Sequence, residues 1–437
     1  HKEYEEIHKG CDDLINQSAN ILFQEDQDAF VLMNTLSYKW KGMVTLPESF
    51  HGYEILNENG ESLKVQTVGK KAEAFVSLFP MSYSTFKKGE QCNPEVSSDG
   101  GLVIENELIR YEFSDKGEMI SAFDKEVGRE VLEGVGNVLS LYEDRPNNWD
   151  AWDIDFFYRD ALLETAVVSS KSSGSTGSIS KQIEFTFKIG VSKIVQKIVL
   201  QPASKRIDFQ TIVDWKEKHK MLRVHFPVSI RSEQATFDIQ YGYVKRNSHR
   251  NTSWDKAKFE VVGHKYADLS DHDYGVALLN DCKYGYMVHD NLLDLNLLRS
   301  PSNPDPDADI GEHSFTYSLL PHKQDLIRSS VIAESTCLNQ EPIMLEGVSS
   351  NLEMPIKLSG DGLELTVLKK AEKEDCWIVR IVETHGRNSK GALHFHGSIN
   401  ECNLIEWENF GKKKNVQSDF VVDLLPFEIR TYKVLFS

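Results

Sequence analysis

The sequence predicts a mainly β protein, in which one N-terminal helix precedes a small β-domain, a large antiparallel β-sandwich and a C-terminal β-sandwich. Three observations support this fold class. Apolar and polar residues alternate with a period of two through most of the chain, as in half-buried strands. Only the first residues show the three-to-four spacing of an amphipathic helix. With 437 residues the chain is too long for one core, so it should divide into several domains.

A helix is predicted at residues 1–24. The side chains that recur at helical spacing along this segment are Tyr4, Ile7, Cys11, Leu14, Ile15, Ser18 and Leu22. A single helix cannot bury such a stripe without partners. The helix therefore either docks on a sheet or belongs to a bundle whose other helices are missing. The chain also opens on His1 rather than on Met, so we expect the sequence to be a piece of a longer protein.

Strand patterns fill the remainder of the chain and divide it into three parts. Alternation from Asp26 onward predicts the small β-domain at residues 25–95, and further alternating stretches predict the large sandwich at residues 96–335. The pattern resumes in the C-terminal sandwich, at residues 336–437. Strand follows strand without helices between them, so we expect antiparallel sheets. Two stretches of the large sandwich each place five residues on one face: Ile207, Phe209, Thr211, Val213 and Trp215, then Leu222, Val224, Phe226, Val228 and Ile230.

Composition limits the kinds of partner and the compartment. The net charge of −18 is spread along the chain, which argues against nucleic acid or a membrane as a partner and suits a neutral, hydroxyl-rich ligand. The six cysteines include no C-x-x-C pair, so we expect free thiols in a reducing compartment and a cytoplasmic location. Neither a signal peptide nor a membrane span is expected, because no apolar run reaches about 18 residues.

One stretch, Tyr142–Asp160, combines two Trp, two Tyr, two Phe and six acids. Flat aromatic faces cover the apolar face of a sugar ring, while carboxylates accept its hydroxyls. We therefore interpret Trp149, Asp150, Trp152 and Asp153 as saccharide-binding residues. The alternative is a buried aromatic corner surrounded by solvated acids. A catalytic pair of these acids is disfavoured, because two acids within five residues of one loop rarely flank a substrate from opposite sides.

Two segments resemble metal-binding motifs but lack residues that such motifs require. His394 and His396 share a strand face, as two zinc ligands would, but a third ligand is not evident, so two exposed or hydrogen-bonded histidines are favoured. A calcium-like loop from Asp305 has Ile310 where a glycine is required and Thr316 where an acid is required. No metal and no complete catalytic motif is therefore predicted in this chain.

Several blocks of the sequence resemble the C-terminal half of family 38 glycoside hydrolases, the α-mannosidases. They cover almost the whole chain and are most similar to the cytoplasmic and bacterial branch of that family. The blocks that carry the resemblance are Asn34–Tyr38, Tyr142–Pro146, Trp149–Asp153, Val213–Trp215, His219–Lys220, Phe226–Val228, Arg250–Asp255, Gly263–Ser270, Leu279–Gly285, Leu298–Pro301 and Phe315–Tyr317.

The resemblance implies a parent enzyme with parts outside this sequence. Members of the family carry an N-terminal α/β barrel with a zinc ion, an Asp nucleophile and an acid/base Asp, followed by a three-helix bundle that supplies a zinc ligand. None of those motifs occurs here, so the resemblance assigns no catalytic residue and no metal ligand to this chain. Zinc, as a cofactor, belongs to the absent barrel. Residues 1–24 resemble the last helix of the bundle.

The resemblance also bears on substrate binding. In such enzymes parts of the C-terminal sandwich line the sugar subsite, which strengthens the interpretation of Trp149–Asp153. Arg250, Asn251 and Trp254 form a second substrate-binding candidate, because the arginine fork suits hydroxyl groups. Arg299 is a third, weaker candidate. For both arginines the alternative is an ion pair with one of the many acids.

The resemblance therefore implies the C-terminal β-sandwich portion of a retaining α-mannosidase, which hydrolyses terminal α-linked mannose from oligosaccharides. This portion is expected to support the missing zinc barrel, to line its sugar pocket for the α-mannoside oligosaccharide, and to be inactive alone. The sequence is also compatible with a homo-oligomer. The alternative is an autonomous carbohydrate-binding or assembly module without catalysis. A zinc hydrolase built on His394 and His396 is the least favoured hypothesis.

Overall fold

The computed structural model describes residues 2–24, 26–68, 71–92, 98–99, 101–176, 179–347 and 353–437. The chain forms two compact units, one from residues 1–95 together with 340–437 and the other from residues 96–339. Antiparallel ladders join the described strands into sheets, which confirms the predicted mainly β fold class. The predicted boundary between residues 95 and 96 lies outside the described residues, and the division into four domains stays a prediction.

The first unit begins with the predicted helix, α1, at Lys2–Leu22. A short 3₁₀ helix lies at Glu48–Phe50. The strands of this N-terminal part are β1 (Ala29–Asn34), β2 (Trp40–Thr45), β3 (Tyr53–Leu56), β4 (Ser62–Leu63), β5 (Val65–Val68), β6 (Lys71–Leu78) and β7 (Ser82–Gln91).

The second unit carries two short α-helices, α2 (Ser253–Ala257) and α3 (Val331–Asn339), and 3₁₀ helices at Phe156–Asp160 and Leu326–Arg328. Its strands are β8 (Ser98–Asp99), β9 (Val103–Glu105), β10 (Ile109–Phe113), β11 (Met119–Asp124), β12 (Arg129–Glu130), β13 (Val138–Glu143), β14 (Leu162–Thr165), β15 (Val167–Thr176), β16 (Lys181–Ile189), β17 (Ser192–Leu200), β18 (Ile207–Trp215), β19 (Lys220–Pro227), β20 (Gln234–Ile239), β21 (Gly242–Asn247), β22 (Val261–Val262), β23 (Tyr266–Ser270), β24 (Tyr274–Asn280), β25 (Gly285–His289), β26 (Leu292–Arg299) and β27 (Gly311–Lys323).

After α3 the chain returns to the first unit. The strands there are β28 (Ile343–Glu346), β29 (Lys357–Ser359), β30 (Leu363–Lys370), β31 (Trp377–Glu383), β32 (Ser389–His394), β33 (Gly397–Cys402), β34 (Asn409–Val416), β35 (Asp419–Leu424) and β36 (Ile429–Phe436).

A large sandwich forms the core of the second unit. Its ten-stranded sheet has the order β21-β20-β23-β24-β27-β18-β17-β16-β15-β8, and its six-stranded sheet has the order β14-β13-β19-β26-β25-β22. The two five-residue faces predicted from alternation are buried. The first lies on β18 and the second begins on β19, and their apolar members belong to one cluster. The rings of Phe209 and Phe226, one from each sheet, lie 5.7 Å apart between centroids. Burial of these two faces therefore drives the sandwich together.

The first unit contains a smaller sandwich near the C-terminus. Its three-stranded sheet has the order β29-β32-β35 and its five-stranded sheet has the order β30-β31-β36-β33-β34. Inward side chains such as Leu393, Val422 and Val379 form its core. A further sheet, β28-β1-β7-β3-β4, pairs the strand at residues 343–346 with the N-terminal strand β1, so that Val31 lies opposite Leu345.

Helix α1 docks through its C-terminal end. Ala19 is buried in a small cluster with Phe23, Val31 and Leu345, so this end packs on the sheet of β1 and β28. The apolar residues nearer the N-terminus remain exposed, and Tyr4, Ile7, Leu14 and Ile21 are between 61% and 85% accessible. Most of the predicted apolar stripe therefore has no cover within the described residues.

All six cysteines are free, as expected from their spacing. In the part of the chain that the structure describes, no helix is both long enough and apolar enough to cross a membrane.

Candidate functional site: an aromatic loop beside a polar sheet face

The six-stranded sheet carries polar side chains on the face that points away from the core. Register places Ser140, Arg223 and Asn296 in one row across β13, β19 and β26, and His225 and Asp294 in the next row. The intervening residues, such as Val224 and Leu295, face the core, because successive side chains of a strand point to opposite sides. Alternation therefore builds an apolar core face and a polar outer face on one sheet.

Arg223 is the centre of an ionic network on this polar face. Its guanidinium lies 2.6 Å from the carboxylate of Asp294 and 3.2 Å from that of Glu260, and its side chain is buried. Tyr158 donates its hydroxyl to Glu260 at 2.5 Å, and its ring lies 5.3 Å from the Arg223 guanidinium. Burial raises the pKa of Glu260, and the Arg223 charge opposes that rise. Such a network fixes the 3₁₀ helix that contains Tyr158 against the sheet.

The aromatic stretch leaves the end of β13 as a loop, residues 144–155, and then enters that 3₁₀ helix. Trp149 has a left-handed backbone, with φ of 60°, and its carbonyl accepts the backbone N–H groups of Trp152 and Asp153 at 2.7 and 2.9 Å. The loop is thereby folded into a tight turn that carries both indole rings.

Arg299, at the end of β26, holds this loop. Its Nε donates to Asp144 at 2.6 Å, and its Nη2 donates to the backbone carbonyls of Asp150 and Asp153 at 3.1 and 2.7 Å. Burial raises the pKa of Asp144 above its ordinary value, and the hydrogen bond from Arg299 offsets only part of that rise. The ion pair that was the alternative for Arg299 is therefore present, with Asp144, and the same side chain also orders the predicted saccharide loop.

The two acids of the loop have different surroundings. Asp150 accepts the backbone N–H groups of Ser302 and Asn303 through Oδ2, at 2.6 and 3.1 Å, and its Oδ1 lies 3.5 Å from His219 Nδ1. Asp153 is exposed and accepts the backbone N–H of Ile154 at 3.0 Å. The Asp150 carboxylate thus ties the loop to the segment after β26, whereas the Asp153 carboxylate faces solvent.

Both tryptophans of the loop face solvent. Trp149 and Trp152 are each 71% exposed, so neither ring fills a core. The alternative of a buried aromatic corner does not describe these two side chains. Two exposed indoles on a loop held by Arg299 and Asp150 are instead a surface suited to the flat face of a ligand.

The second predicted cluster lies beside the same 3₁₀ helix. The Arg250 guanidinium lies 5.7 Å from the centroid of the Phe156 ring, and Phe156 immediately follows the aromatic loop. Trp254 is 78% exposed on α2, which Thr252 and Asp255 cap reciprocally. Asn251 is exposed just before that cap. The structure therefore brings Arg250 to the end of the loop that carries the first cluster.

Sequence reasoning missed the residues beneath the loop. Arg223, Tyr158, Glu260 and Asp294 were not among the predicted site residues, although they hold the aromatic stretch in place. One signal was available, because alternation places Arg223 on the face opposite to Leu222 and Val224. A charged residue within such a strand indicates either a solvated face or a covered polar layer, and local sequence does not distinguish the two.

Of the two histidines considered as a weak zinc candidate, His394 has other partners. His394 ends β32 and contacts Ser359 and Asp419, as in the favoured interpretation of hydrogen-bonded histidines. Across the described ranges, no three His, Cys, Asp or Glu side chains are placed to hold a metal ion.

Comparison with known proteins identifies related sequences over most of the chain. Residues 104–307 match the model of the glycosyl hydrolases family 38 C-terminal domain, and residues 362–432 match that of the family 38 C-terminal β-sandwich domain. Alpha-mannosidase G of Dictyostelium discoideum is 36% identical over 80% of this chain and 34% of its own length. Human alpha-mannosidase 2C1 is 33% identical over 92% of this chain and 39% of its own length.

A solved structure shares the fold. The crystal structure of an alpha-mannosidase from Enterococcus faecalis V583 superimposes with a TM-score of 0.73 at 17% identity, over 94% of this chain and 56% of that chain. The chain spans between a third and two fifths of the length of the curated relatives given above.

Proposed function

Because the chain belongs to glycoside hydrolase family 38, we propose that it is the C-terminal β-sandwich portion of a retaining α-mannosidase that removes terminal α-linked mannose from oligosaccharides. The matched domains are C-terminal ones, and the relatives extend well beyond the matched region. In this proposal the sandwich portion supports a catalytic barrel outside this sequence and contributes to its sugar pocket.

One observation carries the role in sugar binding: Trp149 and Trp152 are exposed on a loop that Arg299 holds at three points. Exposing two indoles is unfavourable unless a ligand or another surface covers them. Prior ordering of the loop lowers the entropy that binding must overcome. The exposed Asp153 carboxylate supplies an acceptor for sugar hydroxyls beside the rings.

The predicted residues take different parts in this proposal. Trp149, Trp152 and Asp153 contact the sugar, and Arg250, Asn251 and Trp254 form the neighbouring surface. Asp150 stays a predicted sugar-binding residue, but its two backbone hydrogen bonds support a part in positioning the loop.

Family membership implies a zinc ion, and the residues present do not fit one. Among the described residues no group of three possible ligands is assembled. We therefore assign zinc to the absent catalytic barrel and derive no step through it. The six free cysteines support a reducing compartment, and we propose the cytoplasm as the location of the parent enzyme.

The proposal is tested in the full-length enzyme with Trp149→Ala, Trp152→Ala and Asp153→Asn. We expect kcat/KM for an α-mannoside to fall about tenfold for each Trp change, and by roughly one to two decades for Asp153→Asn, which weakens a charge-assisted hydrogen bond of about 1.5–3 kcal/mol. Thermal unfolding should barely change, because these side chains are exposed.

Trp407→Ala is the matched control, since Trp407 is 61% exposed on the other unit. Its kinetics should equal those of the wild type. Wild-type kcat/KM in folded Trp149→Ala and Trp152→Ala enzymes would rule out contact between the loop and the sugar.

A further inference from the structure

The outer face of the three-stranded sheet in the C-terminal sandwich brings together a serine, a histidine and an aspartate. Ser359 ends β29, His394 ends β32 and Asp419 begins β35. His394 lies opposite Asp419 in the ladder, and Ser359 lies opposite Ala392, two residues from His394. Because alternate residues share a face, all three side chains leave the sheet on the same side.

Their hydrogen bonds form a single chain. His394 Nδ1 lies 2.7 Å from Asp419 Oδ1, and His394 Nε2 lies 2.7 Å from Ser359 Oγ. A carboxylate can only accept, so Nδ1 carries the proton and donates it to Asp419. In the neutral imidazole Nε2 then carries the lone pair and accepts the hydroxyl proton of Ser359, whose other acceptor, the Ala392 carbonyl, lies farther away at 3.5 Å. The aspartate orients the base, and the base is directed at the serine oxygen.

We propose that Ser359, His394 and Asp419 form an active site of their own, which cleaves short-chain carboxylic esters by acyl transfer. This connectivity activates a hydroxyl as a nucleophile on several unrelated folds. The site lies within the first unit, goes beyond the proposed mannosidase function and does not depend on it.

In the proposed reaction, Ser359 Oγ attacks the ester carbonyl carbon while His394 Nε2 takes the hydroxyl proton. The tetrahedral intermediate collapses, its bond to the alcohol oxygen breaks, and the imidazolium returns the proton to the leaving alcohol. Water then attacks the acyl-serine, again through His394, and releases the carboxylic acid and the free serine. Lys357 lies opposite His394 in the ladder, on the same face as Ser359, and its ammonium is 3.6 Å from Glu353. In the proposal this ammonium is the cation that stabilises the developing oxyanion.

Exposure determines the class of substrate. Ser359 is exposed, and the side chains of His394 and Asp419 are 41% and 58% accessible, so the site lies on an open sheet face. An open face provides little surface for binding a long acyl chain, and a small ester with a good leaving group suits it. Acetyl esters of phenols are therefore suitable probes.

The proposal is tested by labelling the 437-residue chain with diisopropyl fluorophosphate and mapping the adduct by peptide mass spectrometry. We expect one adduct on Ser359 and a burst with p-nitrophenyl acetate. Ser359→Ala should abolish both signals. His394→Gln and Asp419→Asn should each slow labelling of Ser359 by about 10²-fold or more, because the general base is removed or misdirected.

Asp423→Asn is the matched control. Asp423 lies on the same strand and face as Asp419, but its partner is Lys390, at 3.2 Å. Ser359 of the Asp423→Asn variant should be labelled at the wild-type rate. Thermal unfolding confirms that each variant is folded, and exposed substitutions should change stability little. Failure to label Ser359, or equal labelling in folded His394→Gln, would overturn the proposal.

Discussion

At the scale of single residues, one arginine links the sheet to the candidate ligand surface. Arg299 neutralises the buried Asp144 and also donates to two carbonyls of the aromatic loop. Its planar fork makes several directed hydrogen bonds at once, which the point charge of a lysine does not. Charge balance and loop order in this region therefore depend on the same side chain.

Glu217, in the turn between β18 and β19, gives a pH-dependent prediction. Burial raises the pKa of this carboxyl, but hydrogen bonds from Lys220, the Val191 amide and Ser192 outweigh burial, so its pKa lies below the ordinary value of 4.5. A lowered folded pKa contributes stability above the unfolded pKa, and this is lost as pH falls through the folded pKa. Glu217→Gln should cost about 1.5–3 kcal/mol at pH 7.

Urea unfolding of both proteins from pH 7 to pH 3 measures this effect. The difference in unfolding free energy between wild type and Glu217→Gln should shrink below about pH 4.5, where the carboxyl of the unfolded chain takes up its proton. Glu143→Gln is a suitable control, because Glu143 is exposed and pairs with the exposed Arg145. A difference in unfolding free energy that stays constant over this pH range would contradict the lowered pKa of Glu217.

Residue chemistry at the candidate site was predictable only in part. Aromatic and acidic composition made Trp149 and Asp153 candidates, because those residue types suit a sugar wherever they are exposed, and their contact with a sugar stays a prediction. Exposure itself depends on tertiary structure, and so do the backbone partners of Asp150. The link between His394 and Asp419 was hidden for the same reason, since strands distant in sequence supply the two groups.

At the scale of elements, α1 behaves as two parts. Its C-terminal end is anchored by Ala19 and by Phe23, which directly follows the helix, and the preceding turns lie on the surface. Removing residues 1–16 should therefore change the free energy of unfolding by less than about 1 kcal/mol, because little buried area is lost. Phe23→Ala should cost about 3 kcal/mol, because it removes a buried ring.

Chemical denaturation of the truncated and substituted chains distinguishes these effects. Ile21→Ala is the control for Phe23→Ala, since Ile21 is 85% exposed and lies two residues earlier, in the last turn of α1. A loss of several kcal/mol on truncation would mean that the exposed turns are built into a core.

Strands were predictable as elements but not as partners. Alternation identified β18 and β19 correctly, because each strand turns its apolar residues to the core on one face. Pairing between β1 and β28 depends on contacts across most of the chain, and no local pattern records it. The polar outer face of the six-stranded sheet was missed because a covered polar layer and a solvated face have the same sequence pattern.

At the scale of the whole molecule, we expect the proposed activity to depend on other parts of a longer parent enzyme. We predict that the isolated chain binds no stoichiometric zinc and does not cleave a chromogenic α-mannoside, because the relatives extend far beyond the matched region. Metal analysis and an activity assay of the purified chain, beside the full-length enzyme as positive control, test this. One tightly held zinc per chain, or mannoside cleavage, would refute it.

The pairing of β1 with β28 also determines how long β1 stays exposed while the chain is synthesised on the ribosome. β28 emerges about 300 residues after β1, which is roughly 15–60 s at ordinary translation rates. During that interval β1, with Phe30, Val31 and Leu32, lacks the neighbour that later covers one of its edges. An apolar strand with an open edge is a template for intermolecular pairing. The nascent chain therefore has a defined interval in which a holding chaperone protects it most.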